Sequence, residues 1–375
     1  MSVHKTPAGK YHVRWREGNR NRQRTFDRKR DADLWDAEVT RRRQLGALHT
    51  LDAGRETLDE YAVGTWARAH TAHLAEKTKR HYSSLYGHHI APYLGPLPMR
   101  DLTPEVISRW QADRLASGAG RSAVRQALEL LGTILQRAAD SERLPSNPVR
   151  RVTKAPRPRR VEVRPLAPAT VEAMRDAASP RDAALISVLA YSGLRPGEAL
   201  ALRWGDVREQ TLLVERALSL GDEEDTKTRQ HRTVRLLAPL RADLLAWRLA
   251  SGRPSDDTLV FPGHDGNPWT EPAYQSWRRR AFRRALTAAG VERATPYHLR
   301  HSFASLLLHE GRNVMYVARQ LGHDARLTLT RYGHVMDELE DAPLISAEDA
   351  IAAARGRDVR ARFAPRAVGR DHARP

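Results

Sequence analysis

Cysteine is absent from the 375 residues. That excludes disulfides, thiol nucleophiles and Cys-ligated zinc, and it neither requires nor rules out an oxidising compartment. Long apolar runs are missing too: none approaches the roughly 20 residues of a membrane span. Met1 to Lys10 has no apolar core behind it, so no signal peptide is expected, and the expectation is a cytoplasmic protein without a membrane partner. Metal-ligand spacings are wanting. His309 and Glu310 begin like a zincin helix, but Asn313 stands where the second His belongs, and the adjacent His88 and His89 cannot share one helix face. There is no Walker loop, and the glycines at 118 and 120 follow no strand pattern, so they read as a turn. Neither a metal nor a cofactor is expected. Lysine is scarce as well, seven residues against 56 arginines.

What is abundant is positive charge. Lys plus Arg number 63 against 45 Asp plus Glu, a net charge of +18. GC-rich codon bias explains Arg over Lys, but not the excess of positive over negative. That excess suits a polyanionic partner, because Lys and Arg release counterions condensed on phosphates. At about 150 residues per domain, the length predicts two or three domains.

Residues 1–50 read as a small unit. Tyr11, Val13 and Trp15 alternate with polar residues and so share one strand face; Glu17 to Arg20 turns the chain, and Gln23 to Phe26 returns. Ala32, Leu34, Trp35 and Val39 mark one side of a helix. The segment carries a net +7, and Arg14, Arg16, Arg22 and Arg24 are candidates for a basic sheet face; a merely solvated charged face would read the same. Residues 57–149 look all-helical, opening on a Thr57/Glu60 capping box. Their stripes are Leu58–Tyr61–Ala62–Trp66, Tyr82–Leu85–His89–Ile90 and Val124–Ala127–Leu128–Leu131–Leu135–Ala138, with Thr103–Pro104 as a helix start. Residues 150–164, with Lys154 among six arginines and two prolines, form a stiff basic linker. From 165 to 345 the pattern is mixed. Thr170 opens a helix, 183–191 is a buried apolar run, 212–218 and 233–237 read as strands paired in a hairpin, and helices return from Pro272. Residues 346–375 hold a last helix and a basic tail, which from Arg355 carries seven Arg and two Asp.

Four segments of the C-terminal half stand out: Y-S-G-L-R-P-G-E at 191–198, D-T-K-T-R at 225–229, P-Y-H-L-R-H-S-F-A-S at 296–305 and L-G-H-D-A-R-L-T-L-T-R-Y-G-H at 321–334. Cutting a phosphodiester with a side-chain oxygen needs a nucleophile, a clamp for two phosphoryl oxygens and an acid for the leaving alkoxide. Two guanidiniums suit the clamp, being planar, permanently charged and bidentate. Arg195 follows an apolar run and a Gly turn, and Arg300 sits among Leu299, Phe303 and Leu306; an Arg beside a buried face needs an anionic partner.

The ordered set resembles the tyrosine recombinases of the phage-integrase type, along most of the chain. The order is Arg, Lys, His-x-x-Arg, His, Tyr, and the intervals from Arg300 to His323 and from His323 to Tyr332 resemble the family's. The resemblance implies Tyr332 as nucleophile, Arg195 and Arg300 as the clamp, and His323 on a non-bridging oxygen. It implies Lys227 as the acid for the 5′ oxygen. Lys227 is the only lysine after Lys154, and Lys can give up a proton where Arg cannot; an exposed hairpin lysine is the plainer alternative. Glu198 matches an acidic position one turn after Arg195, expected to orient an active-site partner; a helix N-terminal Glu favoured by the dipole reads the same. One position departs. Tyr297 stands where the family usually has His, and a phenol with an ordinary pKa near 10 is a poor base at neutral pH, leaving a hydrogen-bonding role. His298 falls one place late.

The resemblance implies a multidomain fold: a small α+β arm-binding module, an all-α core-binding domain, and a mixed, mainly α catalytic domain with a small β-hairpin sheet. It implies a site-specific recombinase that integrates or excises a mobile element such as a viral genome through a 3′-phosphotyrosyl intermediate. Its partners would be double-stranded DNA, three further copies in a homotetramer on paired sites, and an accessory directionality factor. Residues 343–355 are a candidate for packing on a neighbouring protomer. A type IB topoisomerase shares the chemistry, but the arm-like and core-binding modules argue against it; the complete Arg–Lys–Arg–His–Tyr set argues against a catalytically inactive DNA-binding relative.

Overall fold

The computed structural model describes residues 3–156, 165–219, 222–225, 231–263, 265–337 and 343–363, with the backbone alone at 20, 49, 222–225, 334–337 and 357–363. The chain divides into two compact units, Met1–Arg160 and Val161–Pro375.

The first unit opens with an antiparallel meander, β1 (Val3–Lys5), β2 (Tyr11–Glu17) and β3 (Arg20–Phe26), followed by α1 (Lys29–Gln44). Alternation along β2 turns Val13 and Trp15 inward onto Ala32, Val39 and Leu51, and Trp15 meets Trp35 edge-on at 5.9 Å. A separate apolar cluster holds the helical part. The predicted capping box is there: Glu60 N–H donates to Thr57 Oγ1 at 3.2 Å, and Thr57 N–H to Glu60 Oε2 at 2.7 Å. A π-helical stretch, Glu60–Trp66, runs into α2 (Ala67–His70); α3 (Glu76–Leu85) passes through a second, Tyr86–Ile90, into α4 (Ala91–Leu94). Then come α5 (Pro104–Ala116), capped by Thr103, and α6 (Arg121–Asp140), whose predicted stripe is buried together with Leu130 and Ile134.

The second unit packs around α8 (Pro180–Tyr191), which is apolar on nearly every side and buried on nearly every side. It lies against α7 (Pro168–Asp176) and is followed by α9 (Pro196–Leu200). Four short strands come next: β4 (Thr211–Val214), β5 (Arg216–Ser219), β6 (Asp222–Asp225) and β7 (Arg232–Arg235). The expected hairpin exists only for its outer part, where β4 pairs β7 with Leu212 opposite Val234. The strand predicted over 212–218 breaks at Glu215. Arg216 turns away to reach both Asp206 oxygens at 2.7 Å, and β5 pairs with β6 inside the stretch read as a polar connection. Helices α10 (Ala238–Ala250), α11 (Glu271–Trp277) and α12 (Arg283–Ala288) lead to α13 (Pro296–His309), α14 (Val314–Leu321), α15 (Ala325–Asp337) and α16 (Ala347–Phe363).

The boundary drawn at 345/346 has no counterpart in the packing, because Ala347 and Ile351 belong to the same apolar cluster as α8 and α13. Residues 343–355 dock on their own domain. Ile345 N–H donates to His309 O at 3.2 Å, Glu348 pairs with Arg235 at 3.3 Å, and Arg355 reaches Asp243 at 2.7 Å and Glu172 at 3.2 Å. Among the described residues, no helix is long and apolar enough to cross a membrane.

Candidate active site

The end of α8 begins the site. Gly193 takes φ +64°, a conformation that disfavours any side chain, and a Cβ there would strike the Phe303 ring and come within 2.8 Å of Leu321. This turn delivers Arg195 as the N-cap of α9, with Pro196 in the first turn and Glu198 at the third position. Glu198 is buried, 3% exposed. One of its oxygens accepts from the Arg195 backbone N–H at 2.8 Å, the other from the Arg195 guanidinium at 2.7 Å. Arg195 also donates to Gly322 O at 2.8 Å.

Arg300 comes from α13 and is buried. It donates to Gly193 O at 2.5 Å and to Leu321 O, and lies 4.0 Å from Glu198. The turn after α8 and the last residue of α14 thus hold one guanidinium by their carbonyls. A third guanidinium completes the cluster: Arg232, on β7, grips Glu198 in a fork at 2.6 and 3.0 Å and donates to Gln320 O at 3.2 Å. Burial pushes the Glu198 carboxyl up, but the hydrogen bonds and charge of Arg232 and Arg195 outweigh it and hold it at about 2. Burial, with Arg195 beside it, lowers Arg300 below the ordinary guanidinium range. So Glu198 stands in the first turn of α9 and at the same time accepts from the side chains of Arg195 and Arg232.

His323 stands just past Gly322, whose left-handed conformation ends α14. Its Nδ1 faces Asp324 O at 3.2 Å and Thr328 Oγ1 at 3.3 Å. Burial first, then Arg300, pulls its pKa down to about 4, so it is neutral here; an arriving phosphate would favour the cationic form, the one that can donate from both nitrogens. Tyr332, on α15, is 1% exposed, and burial pushes its phenol up to about 12 despite Arg300 and Arg331. Its hydroxyl shares a hydrogen bond with Nδ1 of His301 on α13.

Tyr297 is not brought to this group. It is 47% exposed at the start of α13, and among the described residues no hydrogen bond joins it to Tyr332. His298 is taken up in capping, its Nδ1 accepting from Thr295 N–H at 3.0 Å. Lys227 lies outside the described residues.

The sequence reading missed two members. Arg232 shares a strand face with the buried Val234, and an Arg on an inward face needs an anion; that alternation was the signal. His301 sits in a stretch of α13 that is almost continuously buried from Leu299 to Leu308, where a polar ring needs a partner.

In the first unit the four arm arginines do not share a face. Register places Arg22 opposite Trp15 and Arg24 opposite Val13, on the side of α1, whereas Arg14 pairs with Gln23 and Arg16 with Asn21 on the other side. Arg24 stacks on Trp35 at 4.1 Å, and Arg22 pairs with Glu17 at 3.2 Å. On the outer side, Gln23 links His12 and Arg14, both at 2.8 Å. Lys154 pairs with Glu129 at 3.4 Å.

Residues 164–338 match the model of the phage integrase family, and residues 60–113 that of the phage integrase N-terminal SAM-like domain. A putative prophage phiRv2 integrase of Mycobacterium tuberculosis is 29% identical over 330 residues, 83% of this chain and 84% of its own. An integrase of Streptomyces ambofaciens is 30% identical over 290 residues, 70% and 72% of the two chains. In fold, the chain is similar to a lambda integrase tetramer bound to a Holliday junction, with a TM-score of 0.59, 17% identity, and coverage of 87% and 94%.

Proposed function

The chain belongs to the phage integrase family and is a tyrosine recombinase acting in site-specific DNA recombination, and on that premise we propose that Tyr332 is the nucleophile with which it opens and reseals DNA. Attack by the phenol oxygen makes a 3′-phosphotyrosyl bond and frees a 5′ hydroxyl, so the bond energy is kept without ATP. Arg195 and Arg300 take the two non-bridging oxygens, His323 donates to one of them, and Lys227 protonates the departing 5′ oxygen. Glu198 positions the guanidiniums. The observation that carries this is the gathering of Arg195, Arg232 and Arg300 on one buried carboxylate and two turn carbonyls, in the domain that also holds His323 and Tyr332.

The modules divide the labour. Residues 57–149 and 165–345 hold the crossover DNA, 150–164 links them, and 1–50 reads flanking arm DNA through the outer sheet face bearing Arg14 and Arg16. Four copies act on two duplexes, a reading supported by the likeness in fold to a lambda integrase tetramer bound to a Holliday junction. The reaction integrates or excises a mobile element in the cytoplasm, with a directionality factor choosing between the two. Incubation with nicked candidate-site DNA tests the reading. Wild type should give a covalent protein–DNA species, and Tyr332→Phe should bind the same DNA and give none; an adduct from the Phe variant would remove Tyr332 from its role.

A further inference from the structure

We infer that His301 is the proton acceptor of the strand-cleavage step, a role that Tyr297 leaves vacant. The inference rests on Tyr332 being the nucleophile. Three observations lead to it. Among the described residues, His301 Nδ1 is the one hydrogen-bond partner of the Tyr332 hydroxyl, and the two rings lie 5.5 Å apart. His301 is 5% exposed and lies one residue from Arg300 on the same helix. Tyr297 is exposed and His298 caps the helix, so neither competes for the phenolic proton.

The charge around the ring fits an acceptor. His298 and Arg300 from α13, His323 from the turn after α14, and Arg331 from α15 all disfavour a positive imidazole, and burial does so most. His301 is therefore neutral at neutral pH, and the inferred role takes the tautomer with its proton on Nε2, which leaves a lone pair on Nδ1 facing the phenol. The phenol, raised by burial, cannot ionise alone. As Oη bonds to phosphorus, its proton passes to Nδ1 and the ring becomes imidazolium. The P–O5′ bond breaks, and the 5′ oxygen takes its proton from Lys227. On rejoining, the 5′ hydroxyl returns its proton to the neutral amine of Lys227 as P–O5′ forms, P–Oη breaks, and the imidazolium returns its proton to Oη. The imidazolium forms beside the dianionic phosphorane and is then offset by the phosphotyrosyl diester until rejoining.

The test is single-turnover adduct formation on nicked site DNA by the full chain, from pH 6 to 9. His301→Asn keeps an acceptor near the Nδ1 position but cannot hold the proton. It should bind DNA like wild type and cleave about 10²–10³-fold slower at pH 7. Its rate should rise tenfold per pH unit as hydroxide takes over, while the wild-type rate stays nearly flat. A fluorinated tyrosine that ionises near neutrality, placed at 332, should restore His301→Asn by at least about tenfold, an effect that a purely structural role for His301 would not produce. Cleavage by His301→Asn within about threefold of wild type, with Tyr332→Phe inactive, would overturn the role of His301 and leave the nucleophile standing. Faster cleavage by His301→Asn would also overturn it, because the bond would then only store the tyrosine. An adduct from Tyr332→Phe would overturn the nucleophile itself. Should His301→Asn fail to fold, the wild-type profile still decides: a tenfold rise per pH unit excludes a protein base.

Discussion

Glu198→Gln removes one charge and little volume from the middle of the cluster. Glu198 is the only carboxylate among the described residues that touches Arg195, Arg232 and Arg300 together, and its own side chain is 2% exposed. Removing one partner of a buried ion pair costs about 3–5 kcal/mol, because the other charge is left uncompensated. The carboxyl's own shift gives a similar figure. A fall from 4.5 to about 2 corresponds to about 3 kcal/mol of differential stabilisation. A carboxyl whose folded pKa lies below its unfolded one stabilises the fold above the unfolded value. That contribution disappears as pH falls from about 4.5 towards 2. The expected loss is therefore about 3 kcal/mol at pH 7, equal to roughly 150-fold more frequent opening of α13. Hydrogen exchange of the α13 amides, read by mass spectrometry across a urea series, measures that opening within a chain that has more than one folded unit. The gap between wild type and Glu198→Gln should be full at pH 5.5–7 and should close towards pH 2. Bound DNA should narrow it, since a phosphate supplies the missing anion. A gap below about 0.5 kcal/mol at pH 7 would show that the carbonyls of Gly193, Leu321 and Gly322 hold the guanidiniums unaided. A gap that ignores pH would show that shape, not charge, is what the Gln disturbs.

Lys227→Arg should cleave far more slowly than wild type despite its charge, and a substrate with a sulfur-bridged 5′ leaving group should rescue it; absence of rescue would reduce Lys227 to a charge. Tyr297→Phe should slow adduct formation much less than Arg195→Ala or Arg300→Ala, since it lies exposed and each guanidinium opposes developing charge; equal losses in a single-turnover assay would return it to the site. Arg14→Ala with Arg16→Ala should weaken binding to arm DNA and flatten its log–log salt slope by about 2, whereas Arg24→Ala should lower the stability of residues 1–50 by about 1 kcal/mol through lost stacking on Trp35. Equal salt slopes for the two variants would refute the division of faces.

The polarity of the faces explains what could be read from the chain and what could not. Helical stripes such as Val124 to Ala138 were legible because a 3.6-residue period needs no knowledge of partners. The motif positions Arg195, Arg300, His323 and Tyr332 could be proposed because their order and spacing resemble those of the tyrosine recombinases and their residue types suit one chemical demand. The arm face was misread because charge was counted without pairing: only the register shows that Arg22 stands opposite Trp15 and Arg24 opposite Val13, on the side of the sheet that faces the core. The break at Glu215 was invisible because it depends on Asp206, an acceptor with no periodic signature. His301 was passed over because it adjoins Arg300 in sequence, and its partner is 31 residues away.

The charge of the cluster has a bearing on rate. Arg195, Arg232 and Arg300 contribute three positive charges and Glu198 one negative, so the group carries about two positive charges in excess. Most of the fixed contacts that hold Arg195 and Arg300 are to neutral carbonyls, which orient a guanidinium without cancelling it. Each guanidinium has five N–H donors, and these contacts leave at least half of them for a ligand. A DNA phosphodiester brings one negative charge. The phosphorane formed by phenolate attack carries two. On the proposed reading, and counted apart from Lys227 and His301, a cluster with two charges to spare is under-neutralised by the bound substrate and better matched by the transition state, a condition for stabilising the second more than the first. A second buried carboxylate in this cluster would have strengthened the fold and removed that difference. This gives a physical reason for three arginines to share a single glutamate.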